Sequence, residues 1–266
     1  MLLSADQEKR YERQLKLKEI GREGQEKLLD ARVLVIGAGG LGSPTLMYLV
    51  GAGVGAVGIA DGDIVDISNL HRQVLHTTAD IGRPKVESAA ETLRAMNPDV
   101  KINTYKTFVD AGNIEEIIKE YDFIIDAVDN LPAKFLINDA CVLNEKPFSH
   151  AGILGGFGEA MTYVPGEGPC YRCIYNEIPP KEAVPTCAEK GVIGTAPGVL
   201  GNIQATEAIK YITGAGKLLT GTLLTIDLLN MEYDKITFPQ GEHLEDCPLK
   251  GSSPTIRKIF ADNYIY

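Results

Sequence analysis

The feature that most constrains this 266-residue sequence is a glycine-rich turn between two apolar segments. The apolar run Val33–Ile36 leads into Gly37-Ala-Gly39-Gly40-Leu-Gly42, and a helix-compatible segment follows from Pro44 to Val50. Glycines let the backbone turn sharply and let phosphate oxygens approach the amides that open the next helix. Asp61 lies 19 residues after Gly42, at the end of a second predicted strand, Ala56–Ala60. This spacing places its carboxylate near a ribose hydroxyl, so the pattern predicts a bound nucleotide without distinguishing NAD from ATP.

Strand and helix patterns alternate through the first half of the chain, which is typical of a mostly parallel sheet. After the second strand the predicted elements are a helix opening at Pro84-Lys85, strand 100–105, helix 113–121, strand 123–127 and helix 132–143. From Phe148 onward the pattern changes to strands at 160–164 and 223–227, separated by a Pro- and Gly-rich segment and one helix, 195–213. We therefore predict an α/β fold with a Rossmann-like, mostly parallel twisted sheet, an antiparallel extension and helices on both faces.

Three parts are expected along the chain. Residues 1–30 form an N-terminal helical segment, and residues 31–238 form a nucleotide-binding domain that includes a long irregular segment at about 165–192, which we call the crossover loop. Residues 239–266 form a polar C-terminal tail that we expect to wrap the surface.

Composition excludes several classes of protein. A formal charge of −10 argues against a general nucleic-acid binder, and no apolar run is long enough to span a membrane. The N-terminus turns charged after three residues and lacks the apolar region of a secretory signal, so we expect a cytoplasmic protein. Five cysteines are too few for a disulfide scaffold in a chain of this length, which favours metal ligation or thiol chemistry.

Polar and cationic residues follow the second predicted strand. Asp63, Asn69, Arg72 and Gln73 come after it, and Lys85 opens the next helix. A nucleoside triphosphate undergoing cleavage needs such cations near the reacting phosphorus, and the carboxyl edge of an open α/β sheet is where ligands bind. Taken singly, Arg72 and Lys85 could equally be solvated surface charges.

A further carboxylate follows the fourth strand. Asp129, in Asp126-Ala-Val-Asp129-Asn130, is expected at the same sheet edge. It could hold Mg²⁺ or could cap the helix that begins near Pro132.

Six motifs in register resemble the ubiquitin-activating superfamily, and in particular its ThiF/MoeB/HesA members, from about Arg10 to about Ile256. They are Gly37–Gly42, Asp61-Gly-Asp63, Ser68-Asn69-Leu-His-Arg72-Gln73, Gly82-Arg-Pro-Lys85, Asp126-Ala-Val-Asp129-Asn130 and Cys170-Tyr-Arg-Cys173. The resemblance implies an ATP-dependent adenylyltransferase. Its substrate would be a ubiquitin-like sulfur-carrier protein of the ThiS/MoaD type, whose C-terminal glycine becomes an acyl adenylate for sulfur transfer in thiamine or molybdopterin biosynthesis.

The resemblance also implies roles for single residues. Asp61 would bind the ribose, Asn69, Arg72 and Gln73 the nucleotide and its phosphates, Lys85 the phosphates, and Asp129 magnesium. Arg13 matches an arginine that these proteins donate to the partner subunit's ATP site, which implies a symmetric homodimer; its alternative is a salt bridge on a helix surface. The sulfur donor is expected to be a separate protein.

The cysteines raise two open questions. Cys187, on the crossover loop, matches a cysteine that thiazole-pathway members use in covalent sulfur transfer, but it could be a bystander. The resemblance also implies a zinc site built from two Cys-x-x-Cys pairs, of which Cys170 and Cys173 form the first. In the second, Cys247 is followed by Lys250 where a cysteine is expected. His243 could supply the fourth ligand; otherwise zinc is weakly bound or absent.

Three other functions stay open at this point. An NAD-dependent oxidoreductase shares the glycine turn and the acid but does not explain Arg72, Lys85 and Asp129 together. A tRNA-modifying dehydratase could carry the same nucleotide domain, although the cysteine pair and the acidic charge argue against it. A dimeric scaffold that has lost catalysis is the non-enzymatic alternative.

Overall fold

The computed structural model describes residues 2–183, 187–239, 241 and 243–265, without the side chains of residues 187 and 188. Within this part of the chain, strands β1 to β8 form a mixed sheet in the order β3-β2-β1-β4-β5-β6-β7-β8. In chain order, the strands are Arg32–Ile36, Ala56–Ala60, Lys101–Tyr105, Phe123–Asp126, Phe148–Leu154, Phe157–Tyr163, Thr222–Asp227 and Glu232–Thr237. The predicted fold class, a mostly parallel sheet with an antiparallel extension, is confirmed.

The central strands are apolar because helices cover both of their faces. β1 pairs in parallel with β2 on one side and with β4 on the other, and its buried run ends at Ile36, opposite Ala60 and Asp126. The strand order reverses between β1 and β4, and in open α/β sheets ligands bind where this reversal occurs. The fold therefore places the glycine turn at the expected binding position.

Helices α1 to α10 connect and cover these strands. They are, in chain order, Ala5–Arg10, Glu12–Leu15, Gly21–Asp30, Gly42–Ala52, Lys85–Met96, Ile114–Lys119, Leu131–Leu143, Tyr171–Ile174, Cys187–Lys190 and Thr195–Thr213. One core packs α3, α4, α5 and α10 against the sheet, and a second packs α6, α7, α8 and the C-terminal tail against the opposite face. The prediction of helices on both faces is confirmed.

The pairing of neighbouring strands changes from parallel to antiparallel at β5. This strand runs parallel to β4 over residues 148–150 and antiparallel to β6 along its whole length, and β7 and β8 continue the antiparallel part. Sequence analysis identified neither β5 nor β8 as a strand. β8 is an edge strand whose six residues are all exposed, so it has no apolar alternation to reveal it.

Both ends of the chain pack on the sheet domain. In the N-terminal segment, Tyr11 is buried, and its hydroxyl accepts a hydrogen bond from Asn97 Nδ2 at 3.0 Å. In the tail, Leu249 is buried in the core that contains α7, and the Tyr264 hydroxyl donates to Asp139 Oδ2 of α7 at 3.0 Å. The division into three parts stays a prediction. No described helix combines the length and apolar character needed to cross a membrane.

Candidate functional site

A cleft of about 850 Å³ opens at the carboxyl edge of the parallel strands. Its walls come from the glycine turn, from the segments that follow β2, β3 and β4, from the β5–β6 hairpin and from residues of the crossover loop and the tail. The predicted site residues that line it are Gly37, Gly39, Gly40, Asp61, Asp63, Arg72, Gln73, Lys85 and Asp129.

The glycine turn presents a row of free amides to this cleft. In the described part of the chain, the amides of Gly39, Gly40, Leu41 and Gly42 have no hydrogen-bond acceptor. Gly42 makes the turn possible, because a Cβ on it would lie 1.9 Å from the Gly37 carbonyl oxygen. Free amides at the start of α4, together with the helix dipole, form a binding site for phosphate.

Asp61 braces the turn from the end of β2. Its Oδ2 accepts a hydrogen bond from the Ala38 amide and its Oδ1 accepts one from the Asp63 amide, both at 2.8 Å. Because each carboxylate oxygen has a second lone pair, the buried carboxylate can still accept a ribose hydroxyl.

Arg72 and Gln73 reach the cleft from a turn that Asn69 organises. The Asn69 carbonyl accepts the amides of both residues, and its side-chain oxygen accepts the Asp66 amide at 3.4 Å. Asn69 does not line the cleft, so its predicted contact with the nucleotide is not brought about in this structure. Gln73 is buried, and its Oε1 has no hydrogen-bond partner among the described residues, which indicates that a ligand completes this site.

Lys85 is a buried cation at the start of α5. Its side chain is 7% exposed, and Nζ lies 2.9 Å from Asp63 Oδ2, whereas the Asp63 side chain is 56% exposed. Because its ammonium group is buried in the cleft, Lys85 is not a solvated surface charge. That alternative is therefore excluded for Lys85.

Asp129 is exposed in the cleft and does not cap α7. The cap is Asn130, whose Oδ1 accepts the Ala133 amide at 2.9 Å. The second alternative for Asp129 is therefore removed, and the residue lines the cleft at the same edge as the glycine turn. Carboxylate oxygens are ligands that Mg²⁺ prefers.

Sequence analysis missed a buried charged cluster below the cleft. Lys134 Nζ lies 3.2 and 3.3 Å from the two carboxylate oxygens of Asp126 and donates to the Ala151 carbonyl at 2.6 Å. His150 Nδ1 lies 2.7 Å from Asp126 Oδ2, and its Nε2 lies 3.4 Å from Glu159 Oε1. The only sequence signal was the occurrence of Asp126, His150 and Glu159 within or at the ends of apolar strand segments.

This cluster stabilises the charged form of both carboxylates. Burial alone would raise the pKa of Asp126, but Lys134 and His150 hold it below its ordinary value. Burial would likewise raise the pKa of Glu159, but His150 and the Tyr175 hydroxyl, which donates to Oε2 at 2.7 Å, lower it. The two acids are therefore ionised at neutral pH.

Three cysteines and one histidine meet beside α8. Cys170 Sγ lies 3.8 Å from both Cys173 Sγ and Cys247 Sγ, and His243 Nδ1 lies 3.5 Å from Cys173 Sγ and 3.4 Å from Cys247 Sγ. In a tetrahedral zinc site, ligand atoms at about 2.0–2.3 Å from the metal are separated by about 3.4–3.8 Å. Four of the six donor pairs thus have this spacing, and all four donor atoms lie within 4.8 Å of one another, whereas Lys250 is exposed.

Within this cluster, the charged forms of Cys247 and His243 stabilise each other. Burial raises the pKa of Cys170, while hydrogen bonds from Cys170 and Cys173 lower that of Cys247. Burial would lower the pKa of His243, but its contacts with Cys173 and Cys247 raise it to about 9.

Two further predicted residues, Arg13 and Cys187, are not among the described residues that line the cleft. Arg13, in α2, is exposed and makes no ion pair with any described residue, so the alternative of a helix-surface salt bridge is not found. The backbone of Cys187 opens the short helix α9, and its side chain lies outside the part of the chain that the structure describes. Cys141 is buried in α7.

Comparison with known proteins identifies the family. The profile described as "ThiF family" matches residues 11–249. The chain belongs to the ThiF family. It is 46% identical over 255 residues to the sulfur carrier protein adenylyltransferase of Thermus thermophilus, covering 94% of this chain and 93% of that protein. It is 44% identical over 249 residues to the SAMP-activating enzyme E1 of Haloferax volcanii, covering 94% of this chain and 91% of that protein.

Solved structures agree with this assignment. The crystal structure of selenomethionine PaaA superposes with a TM-score of 0.75 at 25% sequence identity, covering 89% of this chain and 75% of that chain. The predicted ThiF-type family and the predicted enzyme class, an adenylyltransferase, are therefore confirmed.

Proposed function

We propose that this ThiF-family protein uses ATP to adenylate the C-terminal glycine of a ubiquitin-like sulfur-carrier protein of the ThiS/MoaD type. The observation that carries the proposal is the cleft, in which free amides, Arg72 and Lys85 meet Asp129 at one sheet edge. The names of the two similar proteins, a sulfur carrier protein adenylyltransferase and an E1 enzyme, support the choice of substrate.

In this proposal each nucleotide contact uses a described group. Asp61 binds the ribose, the amides of Gly39 to Gly42 hold phosphate oxygens, and Gln73 Oε1 gains the partner that it lacks. Arg72 and Lys85 neutralise the charge that develops on the phosphates. Asn69 acts indirectly, because its carbonyl accepts the amides of Arg72 and Gln73 and so fixes the turn that carries both side chains.

The reaction itself needs no general base. The carrier's terminal carboxylate, with a pKa of about 3.5, is already ionised at neutral pH. One of its oxygens attacks the α-phosphorus of ATP, the bond to the bridging oxygen breaks, and pyrophosphate leaves with that electron pair. Catalysis then consists of alignment and charge neutralisation by Arg72, Lys85 and the turn.

Asp129 would hold the magnesium ion that accompanies ATP. Its exposed carboxylate fits this role because α7 is capped by Asn130 instead. A bound Mg²⁺ would neutralise phosphate charge at this edge.

Arg13 would act in the cleft of a second subunit. It is exposed and has no ionic partner among the described residues, which fits donation across a symmetric dimer interface. The sulfur donor would be a separate protein.

Cys170, Cys173, His243 and Cys247 would hold a structural zinc ion, because their donor types and spacing fit a closed Cys₃His shell. Its effect would be to tie α8 and the crossover loop to the C-terminal tail.

Cys187 would take part in sulfur transfer after adenylation. Replacement by serine is expected to preserve carrier-dependent pyrophosphate exchange and to abolish formation of the carrier thiocarboxylate. Retention of thiocarboxylate formation would assign Cys187 a bystander role.

The proposed function is tested by isotope exchange. Labelled pyrophosphate should enter ATP only when a carrier ending in Gly-Gly is present, and a carrier lacking its terminal glycine serves as the matched control. Exchange without carrier dependence, or NAD binding with no response to ATP, would refute the proposal. The latter outcome would revive the NAD-dependent oxidoreductase.

A further inference from the structure

In addition to the groups described above, the residues that line the cleft include six that we call the distal arm. They are Phe135, Tyr171, Tyr175 and Pro179, with Ala261 and Tyr264 of the tail. None of these residues belongs to the groups assigned above to the nucleotide, the phosphates or magnesium. The distal arm therefore needs an occupant of its own.

The walls of the distal arm suit an uncharged chain rather than a phosphate. Four of its six residues are aromatic, and a fifth is a proline. The nearby cation, Lys134, is 6% exposed and is held by Asp126 and by the Ala151 carbonyl, and Glu159 is held by His150 and Tyr175. These charged groups are already partnered, so the distal arm offers apolar and aromatic contact instead of charge pairing.

Tyr264 is fixed in this wall by a buried hydrogen-bond network. Its hydroxyl donates to Asp139 Oδ2 at 3.0 Å, and Arg172 donates to the same buried carboxylate at 2.8–3.0 Å. Arg172 also donates to the Asn176 carbonyl at 3.0 Å. The tail, α7 and the crossover loop are thereby joined at Asp139, so the position of the Tyr264 ring is set by buried contacts.

Tyr264 and the groups assigned to ATP line one cleft. Leu131 and Phe135 of α7 line it as well, and Asp139, which accepts the Tyr264 hydroxyl, lies on the same helix. A carrier peptide that reaches ATP through this cleft can therefore meet the Tyr264 ring. Tyr264 also lies beyond the family match, which ends at residue 249.

We propose that Tyr264 is a specificity-determining residue of this enzyme, and that its ring contacts an apolar side chain in the C-terminal peptide of the carrier. The inference rests on the proposed function, because it assumes that a carrier tail enters the cleft to reach ATP.

The test compares the Michaelis constants for carrier and for ATP in pyrophosphate exchange. Tyr264→Ala is expected to raise KM for the carrier about fivefold to tenfold and to leave KM for ATP unchanged, because only the peptide contacts the lost ring. Tyr264→Phe, which keeps the ring, should have the smaller effect. Asp262→Ala is the matched control, because Asp262 is exposed in the same turn and does not line the cleft.

Two kinetic outcomes would overturn the inference. One is an unchanged KM for the carrier in Tyr264→Ala, and the other is an equal rise in both Michaelis constants. If the unsubstituted protein shows no carrier-dependent exchange, the proposed function itself fails, which distinguishes the two failures.

A cross-linking experiment keeps the inference testable if Tyr264→Ala does not fold. A benzoylphenylalanine introduced at position 264 should cross-link to the C-terminal peptide of the carrier upon irradiation, whereas the same group at position 262 should not. Cross-linking at both positions or at neither would contradict the assignment.

Discussion

Gly39 and Gly42 belong to the same turn, but the absence of their side chains serves different purposes. A Cβ on Gly39 would meet only Gln73 Nε2, at 3.6 Å, which is an ordinary contact. A Cβ on Gly42 would collide with the carbonyl of Gly37. Gly42 is thus required by the fold, whereas Gly39 leaves room for a ligand.

The first prediction follows from this difference. Gly42→Ala should lower the free energy of unfolding by about 2 kcal/mol or more, because the turn must open. Gly39→Ala should change it by less than about 0.5 kcal/mol and should weaken ATP binding about tenfold, because a methyl group then occupies the approach to the amides. Denaturant unfolding and nucleotide titration measure the two effects. Unchanged ATP affinity in Gly39→Ala would contradict the phosphate assignment.

Single residues show where sequence reasoning reached its limit. The motif around Asp129 predicted a carboxylate at the sheet edge but could not decide between magnesium and a helix cap, because the neighbouring Asn130 satisfies the cap equally well. The cluster of Asp126, Lys134, His150 and Glu159 was not predicted, since its partners come from four separate elements and meet only in the folded chain.

Among the secondary-structure elements, α7 is fastened to the sheet by the ion pair between Lys134 and Asp126. Lys134→Met should destabilise the protein by about 3 kcal/mol at pH 7, because it leaves a buried carboxylate without its cation. The exposed Lys18 provides the matched control, and Lys18→Met should have little effect. Denaturant unfolding of both variants is the measurement.

The same pair predicts how stability depends on pH. The folded-state pKa of Asp126 lies below its ordinary value, so its contribution to stability is present above about pH 4 and is lost as the pH falls through the lowered value. The difference between Lys134→Met and the unsubstituted protein should therefore shrink between pH 7 and pH 3. If the stability difference between the two proteins does not change with pH, the pKa of Asp126 does not depend on Lys134.

The cluster of Cys170, Cys173, His243 and Cys247 joins α8 to the tail and gives the fourth prediction. Protein purified without chelator should contain about one zinc per chain, and His243→Ala should lose most of it, because three thiolates do not complete the tetrahedral shell. Lys250→Ala should retain the metal, since the lysine lies outside the shell. Elemental analysis decides between these outcomes. Zinc loss in Lys250→Ala, or none in the unsubstituted protein, would refute the Cys₃His site.

Secondary-structure elements could be predicted from the sequence where buried residues follow a regular pattern along the chain. The helix at Thr195–Thr213 and the strand at Ala56–Ala60 have the predicted bounds. β5 was missed because its first four residues are buried and its last three are partly buried, which gives no regular alternation. β8 was missed because an exposed edge strand carries no apolar pattern.

For the whole molecule, the proposed donation of Arg13 between subunits can be tested by complementation. Arg13→Ala and Lys85→Ala should each be inactive alone. A mixed dimer, however, contains one cleft in which Arg13 and Lys85 are both intact, so random mixing should restore about one quarter of the unsubstituted activity. Exchange assays after subunit mixing measure this recovery. Absence of any recovery in dimers shown to have exchanged subunits would indicate that Arg13 does not act across the interface.

At the scale of the whole molecule, the sequence predicted the sheet architecture and the edge of the sheet at which the cleft lies. It could do so because strand, turn and helix signals are local. It did not predict that the tail reaches the cleft, since that contact depends on Tyr264 meeting Asp139 across 125 positions of the chain. Contacts of this separation leave no periodic signal in the sequence.

The reversal of strand direction at β5 has an evolutionary consequence. The groups assigned to ATP come from the parallel half of the sheet, whereas the hairpin, the crossover loop and the tail contribute the remaining walls of the cleft. After a gene duplication, mutations in these remaining walls can accumulate and redirect a descendant to a new protein tail while its phosphate chemistry is inherited intact.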